Sequence, residues 1–434
     1  MNLKRIKRYK LILITLIIIT AAIPMFFVRF DEPSAKLQLY KFFAKMGSLC
    51  GSVLLAWQYL LGFRAIAGKV ICDLIWVLKL HKAIGKYVLV LITTHPIFIT
   101  IYYLEKKAIN PLILQGDWPF QAYVLLGELA FLLLILIVIT SIFCRTQMSL
   151  STWFGIHLTS YIALALIFVH SLPIGMTLNQ TPLYNIWVIM AILLAVLFVF
   201  RLLYRLELFS AKYLVRFVEK VGPAVVKITA SPVYAKIKPH LGQFIFFRWG
   251  LLKPARPFTV SHYNPQTHDL SITVKVSGKI TTLLQSIKPG EKVYIDGPYG
   301  VFCHAAIQSN RPLVMIAGGI GITPFIRLFE ELAYQPDRQL HLFYGNKYKH
   351  EIVYKQELEN TEQINIIHVM SRDTNYPGET GYITTELLKK YLSHSLNEYE
   401  FLICGPPVMT KKLEEELAAE NVPQIQIHHE LFSY

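Results

Sequence analysis

The first 239 residues contain only four histidines: His81, His95, His157 and His170. An imidazole titrates near neutral pH and binds transition metals through a neutral ring nitrogen. His81 and His95 are 14 positions apart, and His157 and His170 are 13 apart. At about 1.5 Å of rise per residue, each pair is separated by roughly 20 Å along a helix. Two helices that start on the same side therefore bring His81 level with His157 and His95 level with His170. Imidazoles facing each other from two helices can hold one haem iron from both sides, so two such levels suit two stacked b-type haems. Gly85, one turn after His81, leaves room for a porphyrin plane. Fourteen residues return an ideal helix to within about 40° of its starting face, whereas thirteen leave it about 140° away. The second helix must then be distorted, or its two sites must lie at different azimuths. Two other readings stay open: isolated histidines hydrogen-bonded between helices, and a proton or metal conduit. A conduit brings membrane-buried acids, and mid-span the chain offers only Glu128.

The elements that carry these histidines are apolar. Of 434 residues, 54% are hydrophobic and only 16% charged, against about 25% charged in soluble chains. This excludes a wholly soluble or disordered protein. Six stretches, 9–29, 42–63, 82–104, 120–143, 152–172 and 183–205, approach the roughly 20 residues that span a bilayer. The segment 64–80, with Lys69, Asp73 and Lys79, reads as an interfacial or cytoplasmic connector; a seventh span is the alternative. The run from Leu11 to Val28 is too long for a signal peptide core and suits a first membrane helix. Fifteen Lys and Arg flank the spans on the N-terminal side of the membrane and five on the other. That bias predicts cytoplasmic N- and C-termini, in an integral, multi-pass protein of a bacterial inner membrane. The net charge of +15 is thus a topology signal rather than a nucleic-acid signal. Five scattered cysteines without CxxC spacing argue against disulfide, zinc and iron–sulfur frameworks.

After residue 215 the texture changes. Short β-type runs at 224–230, 242–249, 270–276 and 291–297 predict an antiparallel barrel. After 310, apolar strands alternate with helical segments, which predicts an α/β domain with a parallel sheet. The expected architecture is a multi-domain membrane protein: a six-helix transmembrane bundle over 1–215, a barrel over 216–310 and a nucleotide-binding α/β domain over 311–434. Within the α/β part, "AGGIGITPF" (317–325) follows a strand and opens a helix. Its glycines admit a pyrophosphate to the backbone, and Pro324 suits a first helical turn.

Several soluble-half segments, "AGGIGITPF" among them, carry a family resemblance. "ARPFTVSH" (255–262) resembles the flavin signature of ferredoxin–NADP reductase-type domains and the corresponding stretch of NADPH oxidases and ferric reductases, with Arg256 where the oxidases carry His. "VKVSGKITTLL" (274–284) resembles the second phosphate-binding stretch, "DGPYG" (296–300) the turn closing the barrel, and "CGPP" (404–407) the nicotinamide-side motif. With the histidine spacing, the chain resembles the ferric reductase/NADPH oxidase superfamily along essentially its whole length. The resemblance implies FAD on Arg256, Pro257, Phe258, Thr259, Ser261, Ser277, Gly278, Thr281 and Thr282. It implies a nicotinamide nucleotide on Gly318, Gly319, Gly321, Thr323, Pro324, Gly405 and Pro406, with Cys404 beside the nicotinamide. Ser371 and Arg372 stand where the family binds a 2′-phosphate, apt chemistry for NADPH, although Asp373 could instead pair with Arg372. The "HHELFSY" tail resembles the E-x-F end of this superfamily, which implies an aromatic that shields the flavin, Phe432 first and Tyr434 second.

The implied activity is electron transfer from NADPH through FAD and two haem b groups to an acceptor outside. Oxygen, giving superoxide, and ferric chelate, giving ferrous iron, both fit. Two alternatives remain: an electron donor to an extracytoplasmic partner protein, and a membrane-anchored flavin reductase without haem. Membrane lipid is an expected partner and nucleic acid is not.

Overall fold

A computed structural model describes residues 3–113, 118–206, 208–250, 253–332, 338–361 and 363–431. The chain divides into two compact units, Met1–Leu202 and Leu203–Tyr434.

The first unit is helical: α1 (Leu3–Ala22), α2 (Ala35–Lys45), α3 (Gly51–Leu61), α4 (Arg64–Ile71), α5 (Leu74–Lys107), α6 (Trp118–Ile142), α7 (Leu150–Leu158), α8 (Ser160–Ile174), the single turn α9 (Met176–Asn179) and α10 (Leu183–Arg205). Among the described residues, five helical stretches are long and apolar enough to cross a membrane. The pair Ala35–Leu61 and Arg64–Ile71, bent by 81°, makes a sixth if counted as one span. Large apolar side chains such as Ile18, Leu132 and Leu193 are exposed on these helices. That pattern suits a lipid solvent, in which the backbone must satisfy its own hydrogen bonds.

The expected connector 64–80 is α4 plus the opening turns of α5. The third long helix therefore starts at Leu74 rather than near residue 82. The cause is local: the Asp73 carboxylate caps α5 by accepting the Trp76 N–H at 3.1 Å. Asp73 also pairs with Lys10 at 2.6 Å, so the basic N-terminal segment and this connector share one face of the unit. At the opposite end Glu32 accepts from Tyr102 and Lys106, each at 2.7 Å, joining the loop after α1 to the end of α5. Between α2 and α3 the helix widens into a π turn, Met46–Cys50. There α5 comes so close that a Cβ on Gly47 would sit 2.3 Å from Thr94 Oγ1.

The second unit begins with a closed antiparallel barrel in the order β1-β2-β5-β4-β3-β6. Its strands are β1 (Ala211–Gly222), β2 (Val225–Pro232), β3 (Phe244–Trp249), β4 (Arg256–Tyr263), β5 (Leu270–Lys275) and β6 (Lys292–Tyr299), with α11 (Lys279–Leu284) between β5 and β6. Tyr213, Ile228, Ile245, Ile272 and Ile295 fill its interior. The expected boundary at residue 216 falls inside β1. Its mix of Lys, Arg and Glu with apolar residues hid a strand whose partners β2 and β6 supply the burial.

After α12 (His304–Gln308) comes a parallel sheet in the order β10-β9-β8-β7-β11-β12. Its strands are β7 (Leu313–Gly318), β8 (Leu340–Asn346), β9 (Asn365–Met370), β10 (Glu379–Thr380), β11 (Glu400–Gly405) and β12 (Ile427–Leu431). Helices α13 (Thr323–Leu332), α14 (Lys355–Glu359), α15 (Thr385–Tyr391) and α16 (Pro407–Ala419) connect them. The strand order reverses between β7 and β11, the place where such sheets bind ligands beyond their carboxyl ends.

Candidate functional site

The four membrane-region histidines meet in two pairs. The rings of His81 on α5 and His157 on α7 are 6.2 Å apart, centre to centre. Those of His95 on α5 and His170 on α8 are 6.5 Å apart. Two imidazoles bound to one metal from opposite sides, each nitrogen about 2 Å away, place their ring centres roughly 6 Å apart. The thirteen-residue spacing is accommodated by an interruption at Thr159, where α7 ends and α8 begins. Among the described residues no group of three or more metal-type ligands gathers, so each pair is a two-ligand constellation.

The pairs differ in how they are held. His95 Nδ1 lies 3.0 Å from the Ala44 carbonyl and His170 Nδ1 2.7 Å from the Tyr123 carbonyl. A carbonyl only accepts, so each Nδ1 carries the proton and each Nε2 keeps its lone pair for a metal. Gly127 packs against His170, and a Cβ there would lie 2.5 Å from its ring. In the other pair, His81 Nδ1 and His157 Nδ1 are buried without a hydrogen-bond partner. His157 stacks on Trp153 at 5.1 Å, and Gln58 donates to the His81 backbone carbonyl at 2.7 Å. Gly85 sits beside Gln58. Two faced imidazole pairs with free ring nitrogens fit haem iron.

Sequence reasoning missed Lys45. It ends α2, next to the Ala44 carbonyl that orients His95, and is half-buried. Lys41 and Lys106 are both committed to Glu32, at 3.4 and 2.7 Å. Lys45 takes part in none of the ion pairs among the described residues. Its signal was a cation inside an apolar stretch, which suits an anionic group at that level.

In the barrel, β4 carries Arg256, Pro257, Phe258 and Thr259. The first three are half-buried, and Phe258 packs edge-on against Phe247. The Thr259 hydroxyl is buried with no hydrogen-bond partner. An orphaned hydroxyl of this kind costs about 1–3 kcal/mol and suits the polar edge of a flat ring. Ser261 is fully buried and bonds the Ser271 carbonyl at 3.2 Å and the Thr273 hydroxyl at 3.1 Å. It therefore sits within the barrel wall rather than beside the half-buried start of β4. Beyond β5, the Ser277 and Gly278 N–H groups both donate to Thr281 Oγ1, at 2.8 and 3.0 Å. The Thr282 hydroxyl donates to the Gly278 carbonyl at 3.0 Å.

The two glycine motifs of the α/β part, far apart in sequence, meet at the strand reversal. A Cβ on Gly321 would lie 2.1 Å from the Cys404 carbonyl, and one on Gly405 3.1 Å from Gly318 Cα. Gly319, at φ +55°, faces open space; there the left-handed backbone itself requires glycine. Thr323 and Pro324 open α13 and are buried, whereas Pro406 precedes α16 and is exposed. Cys404 is fully buried. Burial, reinforced by the Glu430 carboxylate, pushes its thiol far above the ordinary range, so it stays neutral.

At the ends of β8 and β9, the Ser371 N–H donates to the Asn346 carbonyl at 2.8 Å and the Arg372 N–H to the Lys347 carbonyl at 3.0 Å. Lys347, Lys349 and Arg372 are exposed there. The Asp373 carboxylate accepts the Lys349 N–H at 3.3 Å. Phe432 and Tyr434 lie outside the described residues.

Residues 47–168 match the family described as ferric reductase like transmembrane component, and residues 315–415 match the oxidoreductase NAD-binding domain. Together the two matches support the fused architecture of the ferric reductase/NADPH oxidase superfamily. In this chain an apolar helical unit precedes a barrel and an α/β domain that matches the NAD-binding family. The chain is similar to NADH-cytochrome b5 reductase 1 of Candida glabrata, 30% identical over 156 residues, covering 34% of this chain and 54% of the relative. It is also similar to the toluate 1,2-dioxygenase electron transfer component of Pseudomonas putida, 32% identical over 163 residues, covering 36% and 47%. The chain spans about half the length of the curated relatives it matches. A flavohemoglobin from Malassezia yamatoensis superposes with a TM-score of 0.48 at 21% identity, covering 81% of this chain and 98% of that one.

Proposed function

We propose that this chain is a six-span transmembrane oxidoreductase of a bacterial inner membrane. In this reading it carries electrons from cytoplasmic NADPH through FAD and two b-type haems to an acceptor on the outer face, either oxygen or a ferric chelate. Both termini are cytoplasmic. The observation that carries the reading is the double imidazole facing, at 6.2 and 6.5 Å. His81 and His157 would hold one haem, and His95 and His170 the other. When bound, the flavin and haem groups supply the conversion of a two-electron hydride into single electrons.

The chain's own residues then bind and orient. Arg256 offers a guanidinium fork to a phosphate, Phe258 a ring face, and Thr259 its unpaired hydroxyl. Gly319, Gly321 and Gly405 let the nucleotide approach the backbone at the strand reversal. Neutral Cys404 supplies bulk, not charge, beneath the nicotinamide, and Phe432 is the residue proposed to cover the flavin face. Arg372, with Lys347 and Lys349 nearby, supports a 2′-phosphate and hence NADPH, although the first of the relatives above carries NADH in its name. Lys45 favours an anionic group at the outer level.

The test is purification in detergent with added FAD, followed by anaerobic NADPH titration. The expected result is growth of reduced-haem Soret and α bands; a colourless preparation overturns the reading. Superoxide-dismutase-sensitive cytochrome c reduction and ferrozine-detected iron reduction then discriminate the acceptors. A second reading, an electron donor to an extracytoplasmic protein, draws on the electron-transfer component among the relatives. It expects reduced haem but little turnover on oxygen or ferric citrate.

A further inference from the structure

Arg327 is a buried cation that joins α13 to the barrel. It lies on α13, four residues after Thr323, where the glycine–proline loop becomes helix, and it is 9% exposed. None of the ion pairs among the described residues involves it. Instead Nη1 donates to the His240 carbonyl at 3.3 Å and Nη2 to the Pro239 carbonyl at 3.2 Å. Its guanidinium lies 5.3 Å from the centre of the Tyr263 ring on β4. All three partners belong to the barrel. A buried charge costs several kcal/mol to desolvate, and apolar residues of equal volume are often at least as stabilising. Geometry rather than net stability is what a two-pronged donor adds.

The prongs land on a segment wired to the flavin strand. The His240 N–H donates to Gln243 Oε1 at 2.8 Å. Gln243 Nε2 donates to the Gly300 carbonyl at 3.0 Å, and the Val260 N–H to the Gln243 carbonyl at 3.0 Å. Val260 is the neighbour of Thr259. A continuous set of hydrogen bonds thus joins the helix that follows the nucleotide loop to the strand expected to meet the isoalloxazine. Elsewhere on the same boundary the Tyr354 hydroxyl bonds Thr273, and Lys275 pairs with Glu351 at 3.0 Å. One attachment would leave a hinge; attachments at Arg327 and at Tyr354–Glu351 together fix an angle.

The geometry points to Arg327 as a positioning residue for hydride transfer: it clasps the barrel to the nucleotide domain so that nicotinamide and flavin meet at reacting distance. The inference rests on the proposed NADPH-to-FAD step, in which the nicotinamide loses two electrons and one proton as a hydride and the flavin gains them. Misplacement by about 1 Å can cost on the order of 10²-fold in rate.

The experiment uses the full chain loaded with FAD and compares Arg327→Met and Arg327→Lys with the wild type by anaerobic stopped-flow. At saturating NADPH, the rate of flavin reduction per bound flavin falls on the order of 10- to 100-fold in the Met variant. The Lys variant, which has a charge but a single prong, lies between. NADPH affinity and flavin content stay at wild-type levels, and the charge-transfer absorbance between reduced flavin and NADP⁺ weakens in step with the rate. Unchanged rates in both variants overturn the clasp. So does a loss of flavin or of thermal stability with the rate per bound flavin intact, because that is a purely structural role. Failure of NADPH to reduce the wild-type flavin instead refutes the underlying functional reading.

Discussion

The two histidine levels are built from the same pair of helical stretches yet held differently, and the difference shows where order is set in advance. At the His95–His170 level both Nδ1 atoms are fixed by backbone carbonyls, Ala44 and Tyr123, and glycines at 47 and 127 bring the helices into contact. At the His81–His157 level neither Nδ1 is fixed, and ring stacking by Trp153 is the main constraint on His157. The first level is ready for a ligand on both rings. The second must settle its rings as the ligand arrives.

The strongest way to break the comparison is to remove ligands. Replacing His95 or His170 by Ala is expected to abolish one haem and leave the other, read as a halved haem-to-protein ratio and loss of one potentiometric wave. Replacing His81 or His157 removes the other wave. If all four variants keep two waves, the pairs are not the ligands. A smaller effect is expected from Gly127→Ala, whose new methyl would overlap the His170 ring. Haem affinity at the His95–His170 level should fall on the order of 10- to 100-fold, as for other changes around a ligand, with the other wave unmoved.

Trp153→Leu should be milder. It relaxes His157 without displacing it, so broadening or a shift of the electron paramagnetic resonance signal from the His81–His157 level is expected while haem content stays near wild type. An unchanged signal would show that the stack does not orient His157.

The smallest effect is on the soluble unit. His262 and His304 are pushed down to about 4 by burial, with Lys227 and Arg327 acting on the first and His240 on the second. The unfolded chain takes up these protons near the ordinary value of about 6.5. The folded contribution is therefore complete above that pH and is lost as pH falls from about 6.5 toward 4. Flavin-monitored melting should drop across that window, and less steeply in His304→Gln, which keeps His262; a flat wild-type profile would refute the assignment.

The histidine levels were legible because ionisable residues are rare in apolar spans. The Thr159 interruption was only implied, through the awkward spacing of thirteen, because no Gly or Pro marks it. The α5 start at Leu74 had a visible cap in Asp73, but the charges around it read as a connector. β1 escaped because its burial comes from partners distant in sequence, and β4 because its residues read as a motif before they read as a strand. The glycine loop and the CGP turn were each legible alone. Their mutual dependence, Gly321 against Cys404 and Gly405 against Gly318, exists only in the folded sheet. Arg327 carried no sequence signal, since a lone Arg on an amphipathic helix reads as solvated.

Thr281 has a consequence for the phosphate site proposed at this loop. Its hydroxyl already receives two amide protons and returns one to the Gly278 carbonyl at 2.9 Å, so the loop holds its shape with a stand-in oxygen. A phosphate entering there exchanges one acceptor for another. Its gain then comes from negative charge meeting amide dipoles, with little chain left to immobilise on docking.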